Sequence, residues 1–249
     1  MKMSQYTDDI IRFMCEASEY GTYHRELGAK IGAYVSPDAF VCDAGCGLGY
    51  LCLELSPYCE AVNAVDIAPK ALAVLKRNIR RYGLRNIQVI EGDIACCPPE
   101  RSYDVMVFCF FGETRESLRI AKAQCKGKLI LIKRDWSVHR FSLTEKQIGR
   151  HTLKQTCAEL DLLKIPYHCE IIEAELGQPF RTVEEAVAFF CIYSDDSAEH
   201  ITVDDVKKRL IEQPSNEYPY YLPSLKRMGM IVIDTEKIPD TEMLPRSEQ

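Results

Sequence analysis

The chain has 249 residues, 47% of them apolar, and a formal net charge of −6. That length fits one large domain or a domain with an added lobe, and that apolar share supports a sizeable core. No apolar run approaches the roughly 18 residues a membrane helix needs, and the acidic balance speaks against a nucleic-acid surface, which carries a basic excess.

The opening stretch, MKMSQYTDDIIRFM, lacks an apolar run followed by a small-residue cleavage site, so it does not read as a secretory leader. The twelve cysteines are then expected as free thiols in a reducing cytoplasm, serving as small core hydrophobes. Cys42, Cys46 and Cys52 lack the spacing of an iron–sulfur motif. The adjacent Cys96 and Cys97 are the soft-metal alternative, and no metal is assigned.

Residues 7–20 place Ile10, Met14 and Ala17 on one helical face, and a second helix is expected over 22–35 with Leu27, Ile31 and Tyr34 inward. A buried strand follows at 39–44. The pattern then alternates: strand 61–67; helix 69–82 with Leu72, Leu75, Ile79 and Tyr82 at helical spacing; strand 86–93; apolar strand 103–111; helix 113–125; strand 127–135. Val- and Ile-rich strands separated by helices imply a parallel sheet covered on both faces. Beyond 135 the rhythm changes to a polar loop or short helix, a helix over 152–164, and a strand over 167–176. Thr182 with Glu185, and Thr202 with Asp205, have capping-box spacing before two further helices. A tyrosine- and proline-rich loop leads to a last strand over 228–235.

The stretch VCDAGCGLGYL, residues 41–51, carries the chemistry. Glycine lets the backbone adopt positive φ and approach a ligand closely, and a helix start supplies unpaired N–H groups. In an open α/β sheet, ligands sit beyond the carboxyl ends of the strands, where Asp43, Gly45, Gly47 and Gly49 stand. The spacing is neither the G-x-G-x-x-G dinucleotide fingerprint nor a phosphate loop with its lysine. Asp66 ends the second strand, where a carboxylate can accept both hydroxyls of a ribose. Asp93 ends the third, where an acceptor beside Ile94 can meet an adenine amino group.

The segments VCDAGCGLG, VDI, EGDI and YDVMVFCFF together resemble the class I S-adenosylmethionine-dependent methyltransferases, small-molecule type, over roughly residues 38–135. The resemblance implies a doubly wound, mostly parallel seven-stranded α/β sheet of the Rossmann-like methyltransferase fold. An N-terminal helical cap (1–37) would precede a core (38–177 and 228–236). A helical insertion or lid (178–227) would interrupt that core, and a tail (237–249) would close the chain. It also implies S-adenosyl-L-methionine as cofactor. Gly45, Gly47 and Gly49 would pass under its methionine part, Asp43 would face its amino group, Asp66 would hold the ribose, Asp93 and Ile94 would contact the adenine, and Ile67 would be a further cofactor contact.

Methyl transfer from a sulfonium is an in-line displacement that needs alignment, exclusion of water and sometimes a proton acceptor. The fourth strand ends in Cys109-Phe110-Phe111-Gly112-Glu113 rather than the Asn/Asp-Pro-Pro-aromatic loop of enzymes acting on adenine or glutamine. Phe110 and Phe111 either wall a small substrate, or face the sulfonium, or belong to the core. Tyr23, His24 and His139 are the candidate catalytic bases, with Tyr20, Arg150, His151 and Glu113 behind them. The segment Lys133-Arg134-Asp135 either binds an anion or is a solvated strand end. The insertion is expected to cover the substrate mouth or to form a homodimer contact. The leading function is a cytoplasmic methyltransferase for a small-molecule acceptor. RNA or protein methylation, a nicotinamide-dependent oxidoreductase and a non-catalytic cofactor-binding protein are the alternatives.

Overall fold

The computed structural model describes residues 6–136, 141, 151–193 and 201–240. Two helices lead the chain: α1 (Asp8–Tyr20), whose Thr7 hydroxyl accepts the Ile10 N–H at 3.3 Å, and α2 (Tyr23–Gly32). Then come β1 (Phe40–Ala44), α3 (Tyr50–Leu55), β2 (Ala61–Asp66), α4 (Pro69–Tyr82), β3 (Ile87–Glu91), β4 (Tyr103–Cys109), α5 (Thr114–Gln124) and β5 (Cys125–Arg134). Helix α4 starts on a proline and stops at Gly83, whose φ of +65° favours a residue without Cβ. The chain continues through α6 (Leu153–Leu162), β6 (His168–Glu175), β7 (Gln178–Phe180), α7 (Val183–Tyr193), α8 (Val203–Lys207), β8 (Ile211–Glu212), β9 (Tyr220–Leu222) and β10 (Leu225–Asp234).

Seven strands form one sheet in the order β3-β2-β1-β4-β5-β10-β6. Strands β1 to β5 pair in parallel, and β10 runs antiparallel to both of its neighbours. The strand order reverses between β1 and β4, which is where an open α/β sheet leaves a crevice for ligands. The expected doubly wound, mostly parallel seven-stranded sheet is what forms.

Strand alternation divides the core in two. Val41, Val62, Val107, Ile130, Ile132 and Met228 face α2, α3 and α4 through Leu27, Ile31, Leu55, Leu72 and Leu75. Cys42, Met106, Phe108, Leu129, Leu131 and Ile231 face α5 and α6 through Leu118, Ala121, Leu153 and Leu160. All twelve cysteines are unpaired, and Cys42, Cys52, Cys59 and Cys125 are buried as small core residues. Among the described residues, no helix is long and apolar enough to cross a membrane.

A third core holds Phe180, Phe189, Phe190, Val206 and Leu222 of the late segment, with Phe13 of α1 inserted among them. The Phe13 ring meets Phe180 and Phe189 edge-on at 6.0 and 5.1 Å. Burying a phenylalanine of this kind contributes about 1.5–3 kcal/mol. Arg12 and Arg181 share the carboxylates of Glu16 and Glu185 across the same seam. The lobe is thus fastened to the leading helix.

The structure corrects several expectations. The second helix ends at Gly32, so Tyr34 packs from outside it. Tyr82 is exposed at the end of α4, one turn past the apolar stripe. The fourth strand stops at Cys109, two residues early. The late segment holds the two expected helices, α7 and α8, but its connections are not plain loop: β7, β8 and β9 form a small antiparallel sheet of their own. Strand β10 starts at Leu225, three residues inside the segment expected as insertion.

Candidate functional site

The glycine loop leaves β1 on three positive φ values, +69° at Gly45, +54° at Gly47 and +78° at Gly49. Each glycine is also spatially tight. A Cβ on Gly45 would lie 2.3 Å from the Phe111 ring, and one on Gly49 would lie 2.4 Å from Leu75. The loop is tied to β2: the amides of Gly45 and Cys46 both donate to the Val65 carbonyl, at 2.8 and 3.1 Å. Gly47 N–H donates to Asp66 Oδ2 at 2.8 Å, and Ala68 N–H donates to Asp66 Oδ1 at 2.8 Å. Asp66 therefore joins the glycine loop to the start of α4, a role its position in the sequence did not announce.

Asp43 is 2% exposed and its Oδ2 has no hydrogen-bond partner. Burial, then the neighbouring Asp66 charge, pushes its carboxyl up to about 7, against a smaller stabilisation of the anion by the Cys52 amide. A buried carboxylate oxygen left without a donor is rare and costly in a folded protein. A cationic ligand group at this point would satisfy it.

The remaining cofactor candidates divide. Ile67 is exposed just past the tip of β2, and Asp93 is exposed, its Oδ1 accepting the Ala95 N–H at 2.9 Å. Ile94 departs from expectation: it is 3% exposed and packs in the α5 side of the core, held down by Gln124, which donates to its carbonyl at 2.8 Å.

At the tip of β4 the two phenylalanines part company. Phe111 turns inward, stacks on Phe108 at 6.1 Å and lies against Gly45. Phe110 adopts φ +52°, stays exposed, and meets Trp136 edge-on at 5.7 Å. A left-handed bulky residue costs roughly 1–2 kcal/mol and marks a site worth explaining.

Two of the predicted bases, Tyr23 and His24, are poorly suited to proton transfer. The Tyr23 hydroxyl donates to Met228 Sδ at 3.5 Å inside the core, and burial drives its pKa well above the usual phenol range. The ring of His24 lies between Tyr23 and Tyr50; its Nδ1 is buried without a partner, and burial lowers its pKa to about 4. His139 and Arg150 lie outside the described residues. Tyr20 contacts Tyr218 and Tyr221 at the lobe, and His151 lies 3.8 Å from Glu113.

Three residues at this edge were missed or misjudged. Tyr6 is buried over the loop, its hydroxyl 3.0 Å from the place a Gly47 Cβ would occupy. Lys133 is no solvated strand end: it is 2% exposed, and its amine donates to the carbonyls of Phe111 and Gly112 at 3.3 and 2.8 Å. Burial, reinforced by Arg134, lowers its pKa to about 8. Cys109 is packed at the same tip, where burial and Asp43 raise its thiol pKa. A lysine breaking the run LILIK was the available signal for the second.

Residues 41–128 match the family model described as "Methyltransferase domain". This part of the chain is similar to methyltransferase domains. The matched stretch covers β1 through the first part of β5 and includes every predicted cofactor residue. Over 97 residues the chain is 34% identical to a Methanocaldococcus jannaschii protein named "Probable cobalt-precorrin-6B C(15)-methyltransferase (decarboxylating)", covering 38% of this chain and 50% of the relative. A Methanothermobacter thermautotrophicus protein of the same name is 36% identical over 94 residues, covering 36% and 49%. The chain spans about half the length of these curated relatives. In three dimensions the YcgJ protein of Bacillus subtilis superposes with a TM-score of 0.53 at 14% identity, over 84% of this chain and 98% of that one. That likeness supports the seven-stranded α/β fold and its continuation past residue 128.

Proposed function

We propose that the chain is an S-adenosylmethionine-dependent methyltransferase acting on a small-molecule acceptor in the cytoplasm. The observation that carries this reading is the unpartnered Oδ2 of Asp43, buried beside three positive-φ glycines at the sheet's switch point. A cationic amino group that donates to Asp43 while lying close over the glycines is what that pair of features can accept. When bound, the cofactor supplies an electrophilic methyl carbon on a sulfonium.

The chain's own residues then have these parts. Asp43 holds the ammonium end of the cofactor. Gly45, Gly47 and Gly49 allow close approach. Asp66, already fixed by two N–H groups, offers its remaining lone pairs to the ribose, with Ile67 and Asp93 toward the adenine and Ile94 supporting them from the core. Phe110 presents its ring face on the acceptor side. His139 is kept as proton acceptor from its position after β5, and Tyr23 and His24 become packing residues of the cap. The leading helices α1 and α2 and the late segment from β7 to β9 form a cover over the core, which β10 rejoins at Leu225. The relatives' names make a tetrapyrrole one acceptor class to assay.

Equilibrium dialysis with radiolabelled S-adenosylmethionine and, separately, NADH tests the proposal. Saturable binding of the first and none of the second is the expected result. Saturable binding of NADH alone would replace this reading with the oxidoreductase.

A further inference from the structure

The sheet edge beyond β5 and β10 carries three cations that the cofactor does not use, and their commitments differ. Lys133 is consumed by two carbonyls. Arg227 is paired with Asp135 and, at 3.3 Å, with Glu173. Arg134 is half-buried, and among the described residues its guanidinium has neither an ion pair nor a hydrogen bond. Burial alone depresses its pKa. A partly desolvated guanidinium without an anion is unfavourable, since charges taken out of water are ordinarily paired.

Its placement is specific. Alternation along β5 sets Ile130 and Ile132 on the α2 side of the sheet and Leu129 and Leu131 on the other. Arg134 continues the first series, and Trp136, two residues further, packs against that same core. Cys109 is in register with Ile132, and Met228 with Arg134, so the arginine stands beside the tip of β4. There Phe110, held at positive φ, meets Trp136 edge-on. Lys226 adds a second cation 5.4 Å from the Trp136 ring. The arrangement is an apolar aromatic corner with an unpaired planar cation beside it.

We propose that Arg134 is a specificity residue for the methyl acceptor, binding an oxyanion of a planar, apolar molecule that lies on Phe110 and Trp136. The inference rests on the methyltransferase reading and names the acceptor class within it. A guanidinium fork matches carboxylate or phosphate oxygens in two parallel hydrogen bonds, and aromatic rings supply area for a flat body. The planar body explains why a strained, exposed phenylalanine is kept at position 110. The oxyanion explains why Arg134 lacks a protein partner while Arg227 has two.

The test uses the full chain and three probes of one shape: 2-naphthoate, 2-naphthyl phosphate and neutral 2-naphthamide. Binding is read by calorimetry, with and without S-adenosylhomocysteine. Because Trp136 is the chain's single tryptophan, its emission reports whether binding occurs at this corner. The expected result is at least tenfold tighter binding of one or both anions than of the amide, with a Trp136 signal. Arg134→Met should abolish that preference while leaving amide binding and S-adenosylhomocysteine binding unchanged, and Arg134→Lys should restore part of it. Phe110→Ala should weaken all three probes alike. The proposal is overturned if the wild-type chain binds none of the probes, binds anion and amide equally, or keeps its preference in Arg134→Met. Absence of S-adenosylhomocysteine binding alongside a retained anion preference would sink the cofactor reading and leave the anion site standing. The preferred anion then distinguishes carboxylated from phosphorylated acceptors.

Discussion

The tips of β1 and β2 and the tips of β4 and β5 lie on one edge of one sheet, yet they are built differently. The first pair makes its site from backbone: three left-handed glycines, amides gathered on the Val65 carbonyl, and Asp66 bracing the loop. The second makes its site from side chains brought together by register: Phe110, Arg134 and Trp136, with the buried Lys133 bracing the Phe111 and Gly112 carbonyls behind them. A backbone cradle fixes one ligand shape and tolerates no substitution. A side-chain corner can be altered residue by residue, which suits the acceptor-choosing role proposed for it.

The largest effect should come from breaking the cradle. Gly45→Ala places a methyl group 2.3 Å from the Phe111 ring at φ +69°, adding roughly 1–2 kcal/mol of backbone strain to about 1–3 kcal/mol of overpacking. A loss of about 2–5 kcal/mol in urea unfolding is expected. A cost below 1 kcal/mol would mean that the loop is pliable.

The pH dependence of the ligand-free chain sharpens the comparison next. With its folded-state pKa raised from 3.8 to about 7, Asp43 binds a proton more readily folded than unfolded. Its contribution to stability is therefore greatest below pH 4, declines as pH rises toward 7, and is flat above. Asp43→Asn should remove that decline from the urea midpoints measured between pH 4 and 8. An unaltered slope would show that the carboxylate is not strained as described.

On the acceptor side, Lys133→Met leaves the Phe111 and Gly112 carbonyls without their donor. The expected cost is about 1–3 kcal/mol for a buried group left unsatisfied. Smallest of all, Phe110→Gly relieves a left-handed side chain. It should leave stability unchanged or raise it by up to about 1 kcal/mol, while emission of Trp136 shifts through loss of its ring neighbour. A clear loss of stability would make Phe110 a core residue.

The two halves of the edge were also unequally legible in the sequence. Strands rich in Val and Ile, glycines in alternation and acids at strand ends are local signals, and they foretold β1 to β5 and the cradle. The division of labour between Phe110 and Phe111 depends on one backbone angle, which no apolar run encodes. The roles of Lys133 and Arg134 depend on which face of β5 each meets, and a strand covered on both faces gives no polar alternation to read. Tyr6 reaches Gly47 only because α1 is laid beside α4, with Lys70 and Asp8 paired at 2.8 Å and Arg81 and Glu19 at 3.3 Å. Strands β7, β8 and β9 are two or three residues long, too short for a period of two, and β7 contains a proline.

The central claim is that Asp43 receives a cation at the glycine loop. Calorimetric titration of the wild-type chain with S-adenosylhomocysteine at pH 6 and pH 8 tests it most directly. The product retains the amino group, and ionised Asp43 binds it better, so affinity should rise severalfold between the two pH values, with proton release at the lower one. In Asp43→Asn the binding should be weaker and the rise should vanish. Wild-type affinity that is equal at both pH values, or absent at both, would contradict the account.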